Sequence, residues 1–419
     1  MRRRNIVDFA YANYSIRRPT KKTHLGNAPV NPGVSIMLWP LAVSTWGEEE
    51  LAAATDVLKS GQTTMGEKTK EFERQFAAYH GMAHGIMVNS GSSANLVATA
   101  SLFYKLNRPL KPGDEVIVPA ISWATTYYPL HQYGLRLRFV DVELETLNMD
   151  VDQLERAITR RTKAIVAVSI LGNPANLWRI EEIAKEHDLY LIEDNCESLD
   201  AETDGRKTGT FGDLNTFSFF FSHHISTMEG GMILTDNPEL AGLCRSIRAH
   251  GWDRDAEVQQ GPVEEYRFSY PGYNVRPLEI SAAIGIEQLK KLPKFTQYRR
   301  ENWYNFKTEF ANHRDWIIQE EEFSRAKSSA FAFTLIPRKT NPFWGRRIEL
   351  FHMLKEAGIG SRMITGGLIL DHLVSKHLDY SSYDNLPNAT RVHREGIFVG
   401  NHPYDLTKNI QLLKRVLSQ

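Results

Sequence analysis

The sequence predicts an α/β fold built on a mostly parallel sheet with helices on both faces. Seven short apolar runs with strand character recur at 85–89, 115–119, 135–142, 164–171, 189–194, 216–221 and 232–235. Segments with helical spacing separate several of them, including 95–106, 152–160 and 179–187. Strands that are apolar throughout and alternate with helices are typical of a sheet that is buried on both faces.

The pattern changes towards both ends of the chain. Residues 1–35 are polar and interrupted by proline and glycine, so they are expected to form an N-terminal arm. Two amphipathic helices at 48–59 and 69–79 then precede the strands, and a helix from about Leu278 leads into a helix-rich tail with a strand candidate at 330–336. We therefore expect a large domain over 36–290 and a smaller C-terminal α+β domain over 291–419.

Composition excludes several classes of protein. The 419 residues are 42% hydrophobic and 24% charged, and Lys plus Arg equals Asp plus Glu at 50 each. Such a balance does not favour binding to nucleic acid or to an acidic membrane. Two cysteines, Cys196 and Cys244, do not make a disulfide framework. Without an apolar run after the basic start or a membrane-length segment, we expect a cytoplasmic protein.

Ligands of open α/β sheets bind at the carboxyl ends of the strands, so the residues that follow each run are candidate site residues. Ser90–Asn95 is a run of small residues at a helix start, where backbone N–H groups and the hydroxyls of Ser92 and Ser93 would bind a phosphate. A plain serine cap is the alternative. Trp123 follows the next strand, where it would either stack on a flat ring or belong to the core.

Two later strands end in chemically active residues. Asp194 is the last residue of an apolar strand, where an unpaired charge is costly. Its carboxylate therefore either pairs with a protonated ring nitrogen or caps the next helix. Ser218 precedes a loop with the adjacent histidines His223 and His224, followed by Glu229-Gly230-Gly231. Metal binding is not expected, because neither HxH nor HxxxH spacing is present.

A polar loop, Tyr270–Pro277, precedes the apolar helix near Leu278. Asn274 and Arg276 in this loop are either turn residues or ligands for phosphate or carboxylate. His250 lies in another such segment, and it either contacts the substrate or is an ordinary surface histidine.

In this order the motifs resemble the DegT/DnrJ/StrS sugar aminotransferases, which are fold-type I enzymes dependent on pyridoxal phosphate (PLP). The resemblance runs from about residue 37 to the end of the chain. It rests on Met65-Gly66, Phe72-Glu73, Ser90-Gly91-Ser92-Ser93-Ala94, Glu193-Asp194, Phe217-Ser218-Phe219, Glu229-Gly230-Gly231 and Gly272-Tyr273-Asn274-Val275-Arg276.

The resemblance implies a role for each candidate. Asp194 would pair with the pyridinium nitrogen, Trp123 would stack on the ring, and the cofactor phosphate would be held by Ser92, Ser93 and Ser218. Asn274 would come from the neighbouring subunit of a homodimer, and Arg276 would bind the carboxylate of the amino donor. Glu197 departs from the glutamine or histidine of the family near the ring hydroxyl.

His223 is the largest departure, since it occupies the position of the Schiff-base lysine. An imidazole transfers protons but does not hold an aldehyde as lysine does. With histidine at this position, the chain resembles the 3-dehydratases of 4-keto-6-deoxy sugar nucleotides. One kind of these enzymes carries an iron–sulfur cluster on four cysteines, and this kind is excluded because the chain has only two cysteines. The other acts on GDP-4-keto-6-deoxy-D-mannose and takes its amino group from glutamate.

That chemistry would use His223 as its base. Glutamate would convert PLP to pyridoxamine phosphate (PMP), which condenses with the C4 ketone. His223 would then remove a proton from the cofactor and assist departure of the C3 hydroxyl, giving a 3-deoxy-4-keto sugar and ammonia on the route to a 3,6-dideoxy sugar such as colitose.

Two alternatives remain open at this point. The chain is either an aminotransferase whose lysine has moved or been lost, or a catalytically silent family member. Lys163 and Lys207 lie at the wrong places in the sequence to replace the missing lysine. The complete set of cofactor residues argues against loss of function.

Overall fold

The strands form a large sheet and two small ones. The computed structural model describes residues 37–252, 267–321 and 325–418, so the predicted arm at 1–35 lies outside the described residues. The strands are β1 (His84–Val88), β2 (Glu115–Pro119), β3 (Arg136–Val140), β4 (Thr162–Val168), β5 (Tyr190–Asp194), β6 (Glu202–Thr203), β7 (Arg206–Lys207), β8 (Leu214–Ser218), β9 (Gly231–Thr235), β10 (Trp316–Ile317), β11 (Ala326–Lys327), β12 (Ala332–Pro337), β13 (Ser361–Met363), β14 (Tyr380–Ser382) and β15 (Ile397–Gly400).

The large sheet has eight strands in the order β1-β9-β8-β5-β4-β2-β3-β14. Neighbouring strands from β8 to β14 pair in parallel, whereas β9 is antiparallel to both β1 and β8. All seven predicted strands are present. The eighth, β14, was not predicted because it is a three-residue edge strand without an apolar run; Tyr380 pairs with Leu137 of β3.

Helices connect the strands. They are α1 (Glu48–Ser60), α2 (Glu67–His80), α3 (Gly91–Phe103), α4 (Ala124–Gln132), α5 (Val151–Ala157), α6 (Leu177–Glu186), α7 (Pro238–Arg248), α8 (Glu279–Phe310), α9 (Arg347–Glu356), α10 (Pro387–Glu395) and α11 (Thr407–Leu417). The sequence did not indicate α4, because a proline in its interior and its threonines and tyrosines disfavour a helix.

Alternate residues of the central strands pack on opposite faces of the sheet. Val116 and Val118 of β2 belong to one core together with Phe139, whereas Ile117 between them packs with Ile165 in the other. Both faces of the sheet are therefore buried, as the apolar runs predicted. Within the described residues, no helix is both long enough and apolar enough to cross a membrane.

The C-terminal part has its own antiparallel sheet, in the order β10-β12-β15-β13. Its core includes Trp39, Trp303 and Phe333. The long helix α8 passes through the predicted domain boundary at 290–291: its first half packs with the large domain up to Leu292, and its second half with the small core from Trp303. A division near residue 290 stays a prediction, and any hinge would have to involve this continuous helix.

His80 at the end of α2 is a buried imidazole among aromatic rings. Its Nδ1 lies 3.0 Å from the carbonyl oxygen of Phe76, and its ring centroid lies 4.6 Å from that of Phe76 and 5.0 Å from that of Phe217. Burial lowers the pKa of His80 to about 4. The folded protein therefore holds the neutral form, whereas the unfolded chain takes up a proton below about pH 6.5.

Stability should consequently fall as the pH falls from about 6.5 towards 4, since only the unfolded state is protonated there. We expect His80→Leu to remove about 2 kcal/mol of that loss, because its side chain does not titrate. Urea unfolding at pH 7 and at pH 4.5 gives the change in the free energy of unfolding between the two pH values for each protein. His187→Gln, at an exposed position, is the control; an equal pH dependence in wild type and His80→Leu would contradict the assignment.

Candidate active site

Asp194 ends β5 and is the centre of a buried hydrogen-bond network. Its Oδ2 accepts from Asn95 Nδ2 and from Thr126 Oγ1, both at 2.8 Å, and its Oδ1 accepts from the backbone N–H of Cys196 at 3.1 Å. These donors from the described residues are all neutral. A buried carboxylate held only by neutral donors is suited to a cationic ligand group, in line with the predicted pairing to a protonated ring nitrogen.

Asn95 and Thr126 have roles that the sequence did not reveal. Asn95 bridges two strands, because its Oδ1 also accepts from Thr216 Oγ1 of β8 at 2.6 Å. Thr126 accepts from Ser122 Oγ at 2.8 Å while it donates to Asp194. The one signal for Asn95 was a polar residue within the apolar stretch of α3, where it is buried.

The three predicted phosphate-binding serines meet at the N-terminus of α3. Ser90 caps this helix by accepting from the N–H of Ser93 at 3.1 Å, and Ser92 donates to Thr125 Oγ1 at 2.9 Å. Gly91 brings Ser218 to the same point: a Cβ at Gly91 would lie 2.5 Å from the Ser218 Cβ. The serine cap and the anion site are thus compatible, since the N–H groups and hydroxyls of a 13-residue helix converge here.

Trp123 immediately precedes α4 and is 58% exposed. It is therefore not the core residue that was the alternative for this position. The bond between Ser92 and Thr125 places the starts of α3 and α4 side by side, and Thr126 of the same helix start binds Asp194. An exposed indole at this helix start is suited to stack on a flat ligand ring.

His223 lies in the loop after β8 between two aromatic rings. Its ring centroid is 6.0 Å from that of Phe220 and 5.4 Å from that of Phe331, both in edge-to-face geometry. Its Nδ1 is buried and has no hydrogen-bond partner among the described residues. Burial and the nearby positive charge of Arg299 lower the pKa of His223 to about 4, so the imidazole is neutral and able to accept a proton.

Residues of the C-terminal part complete this side of the site. Arg299 on α8 is buried and donates to the carbonyls of Phe331 at 3.2 Å and Asn401 at 2.6 Å, which fixes the backbone behind the Phe331 ring. His224 contacts the carbonyl oxygen of Ser329 through Nε2 at 3.2 Å. These contacts give His224 a structural position and leave His223 as the available base.

Glu197 follows Asp194 by three residues and is anchored to a strained turn. Its Oε2 accepts from the N–H of Leu171 at 3.0 Å, and Leu171 has a φ of 51°. The same turn binds Phe331, whose N–H donates to the Leu171 carbonyl at 3.0 Å. Burial and the charge of Asp194 together raise the pKa of Glu197 to about 7, against the Leu171 hydrogen bond, which lowers it. The predicted role of Glu197 near a ring hydroxyl stays a prediction.

Asn274, Arg276 and His250 form a separate group. Arg276 Nε donates to Asn274 Oδ1 at 3.1 Å, and the backbone N–H of His250 donates to the carbonyl of Tyr273 at 2.7 Å. Both loop side chains at 274 and 276 are exposed. Within the described residues, no hydrogen bond or ring contact joins the three side chains to His223 or Asp194. Their roles as ligands stay predictions.

The two lysines considered as replacements are engaged or directed elsewhere. Lys207 Nζ binds Asp200 Oδ1 at 2.5 Å and lies 4.5 Å from the centroid of the Tyr79 ring. Lys163 is exposed on β4. Among the described residues, neither lysine contacts the His223 loop, so neither is placed to act as a Schiff-base lysine.

The model of the DegT/DnrJ/EryC1/StrS aminotransferase family matches residues 44–412. The chain belongs to this family. It is 47% identical over 391 residues to the GDP-4-keto-6-deoxy-D-mannose 3-dehydratase of Yersinia pseudotuberculosis, which covers 91% of the chain and 98% of that protein. It is also 32% identical over 407 residues to the lipopolysaccharide biosynthesis protein RfbH of Salmonella typhimurium, covering 92% of each.

Solved structures of family members agree with the fold. The Escherichia coli GDP-4-keto-6-deoxy-D-mannose-3-dehydratase with bound hydrated PLP has a TM-score of 0.88 and 46% identity, and the match covers 91% of this chain and all of that one. A structure of GDP-4-keto-6-deoxymannose-3-dehydratase with a trapped PLP-glutamate geminal diamine has a TM-score of 0.87. The Helicobacter pylori aminotransferase PseC, at 24% identity, shares the fold with a TM-score of 0.82. The predicted family and fold class are therefore confirmed.

The network around Asp194 can be tested without ligand. Thr126→Val removes one donor from the buried carboxylate with almost no change in volume, so we expect the free energy of unfolding to fall by about 2 kcal/mol. Thr125→Val is the matched control, because that hydroxyl bonds Ser92 near the surface rather than Asp194. Urea unfolding of the apoprotein measures both. Equal losses in the two variants would show that Thr126 does not stabilise Asp194.

Proposed function

We propose that this chain is a PLP- and glutamate-dependent 3-dehydratase of a 4-keto-6-deoxy sugar nucleotide, with GDP-4-keto-6-deoxy-D-mannose as substrate. The observation that carries the proposal is His223: a neutral imidazole, whose buried Nδ1 has no partner among the described residues, stands where the family resemblance places the Schiff-base lysine. The relatives named as 3-dehydratases, which match nearly their whole length, support the same reaction.

The described residues fit the cofactor. Asp194 has a buried carboxylate whose donors are neutral, Trp123 offers an exposed indole, and Ser92, Ser93 and Ser218 surround a helix N-terminus. We assign these residues to the pyridinium nitrogen, the ring and the phosphate respectively. When bound, PLP or PMP supplies an electron sink for the carbon atoms attached to its amino group.

His223 moves the protons of the reaction. Its imidazole is neutral in the described structure, so His223 would take up the proton lost from the bound cofactor at Nε2, because Nδ1 is buried, and the imidazolium would return a proton to the departing C3 hydroxyl. Phe220 and Phe331 flank the imidazole and limit access of water to it. Because histidine forms no Schiff base, this loop would not recapture the cofactor, so the sugar's C4 nitrogen would be lost as ammonia on hydrolysis instead of remaining in an amino sugar.

Glutamate and the sugar nucleotide are the partners of this site. We assign Arg276 to the donor carboxylate, because a guanidinium forms paired hydrogen bonds with such a group. Both side chains are exposed, and within the described residues neither bonds to His223 or Asp194, which agrees with Asn274 and Arg276 serving the neighbouring site of a homodimer. His250, on the adjoining segment, is assigned to the substrate.

A three-component assay tests the reaction. The protein is incubated with PLP, glutamate and GDP-4-keto-6-deoxymannose, while 2-oxoglutarate, ammonia and the sugar mass are followed. We expect loss of water from the sugar together with ammonia release. His223→Asn should lower the rate by about 100-fold or more, because it removes the base. Binding of PLP by this variant should persist. Formation of a stable amino sugar by the wild type would contradict the proposal, and no product at all would indicate a silent family member.

The missing lysine gives a second test. Borohydride reduces a lysine–PLP Schiff base to a stable covalent bond, so it should not attach PLP to the wild type. We expect His223→Lys to trap PLP under the same conditions. The mass of the tryptic peptide that contains residue 223 then shows whether PLP is attached there. Trapping on another lysine of the wild type would instead favour the relocated-lysine aminotransferase.

A further inference from the structure

A segment of the C-terminal part runs behind Trp123. Leu368 forms an antiparallel bridge with Ile121, two residues before the tryptophan. Gly366 lies against the next residues: a Cβ built there would be 3.1 Å from the Ser122 carbonyl oxygen and 3.8 Å from Trp123 Cε3. Residues 366–368 therefore form the backing of the exposed indole.

His393 on α10 holds this backing through one ring nitrogen. The N–H of Leu368 donates to His393 Nδ1 at 3.2 Å, so Nδ1 is the acceptor and the ring proton belongs on Nε2. Nε2 lies 3.9 Å from Asp371 Oδ2. A second histidine supports the segment from the other side, since His372 Nε2 lies 2.8 Å from the Gly366 carbonyl oxygen and its ring is 5.4 Å from that of His393.

The backing has a strained conformation that needs such a support. Thr365 has a φ of 46° and Gly367 a φ of 66°, and the former is costly for a β-branched residue. A Cβ at Gly367 would lie 2.5 Å from His393 Nδ1, so the backbone approaches the imidazole as closely as glycine allows. The contact with His393 thus fixes the path of residues 365–368.

We propose that His393 is a positioning residue that sets Trp123 for stacking on the cofactor ring, by accepting the Leu368 N–H at Nδ1. The inference rests on the proposed function, because it requires a planar ligand at Trp123. It adds a residue from the C-terminal part, about 270 positions away in sequence, to the determinants of cofactor affinity.

The charges around His393 favour the acceptor form. Burial lowers its pKa, Asp371 opposes that shift, and His372, Arg347 and Arg394 lower the pKa further. The neutral imidazole therefore persists at neutral pH, and its Nδ1 lone pair stays available to Leu368.

Two amide variants distinguish the role of Nδ1 from that of Nε2 in His393. Asn places an acceptor near the Nδ1 position, whereas Gln reaches to the Nε2 position. We expect His393→Gln to weaken PLP binding by about fivefold, the equivalent of one lost hydrogen bond, and His393→Asn to stay within about twofold of the wild type. Absorbance titration of the apoproteins with PLP measures the affinities, Trp123→Ala reports the contribution of stacking, and thermal unfolding of each apoprotein reports folding.

A glycine pair tests the same contact without changing the histidine. Gly367→Ala and Gly345→Ala both force alanine into a positive φ, of 66° and 74°. The first new Cβ would lie 2.5 Å from His393 Nδ1 and 2.5 Å from the flexible end of Met363, whereas no described atom lies within 4 Å of the second. Weaker PLP binding by Gly367→Ala but not by Gly345→Ala supports the inference.

The outcomes also distinguish this inference from the proposed function. If Trp123→Ala weakens PLP binding while His393→Gln and Gly367→Ala bind as the wild type does, the role of His393 is wrong and the function stands. If the wild type itself binds no PLP, the proposed function fails and this inference fails with it.

Discussion

The buried carboxylate of Asp194 is the constraint on which the geometry of the site depends. It draws donors from α3 and α4 to the end of β5, and Asn95 extends the network to β8. A carboxylate taken out of water is stable only if such donors are held in place. The network therefore brings together the starts of two helices and the ends of two strands. The serines and Trp123 occupy their positions because they belong to those same ends.

The second organising feature is a buried positive charge without a carboxylate partner among the described residues. Arg299 donates to backbone carbonyls, and burial lowers its pKa to about 10, which still leaves it charged at neutral pH. Burial lowers the pKa values of His223, His224 and His402, and the charge of Arg299 lowers them further. The guanidinium thus adds to the effect of burial in keeping those rings neutral, so the C-terminal part influences the protonation of His223.

Much of this site was predictable because its residues follow apolar strands. Asp194, Ser218 and His223 follow strands whose apolar character is clear in the sequence, and parallel strands bring their carboxyl ends to one edge. Thr126, Phe331 and Arg299 were not predictable, since their contacts join residues far apart in the chain and their local patterns are those of ordinary helix and strand residues. The helix α4 was missed for a related reason: burial of Thr126, Tyr127 and Leu130 outweighs its poor intrinsic propensity.

The pocket around His223 sets two requirements against each other. A base must be unprotonated to begin, and the aromatic rings and Arg299 ensure this by lowering the pKa to about 4. An imidazole with so low a pKa is also a weak base, because it gives little driving force for taking up a proton. In the proposed function, a phosphorylated cofactor would bring negative charge near His223, and negative charge raises the pKa of a neighbouring imidazole. Binding would thus strengthen the base only when the group it acts on is present, while the ligand-free site stays neutral.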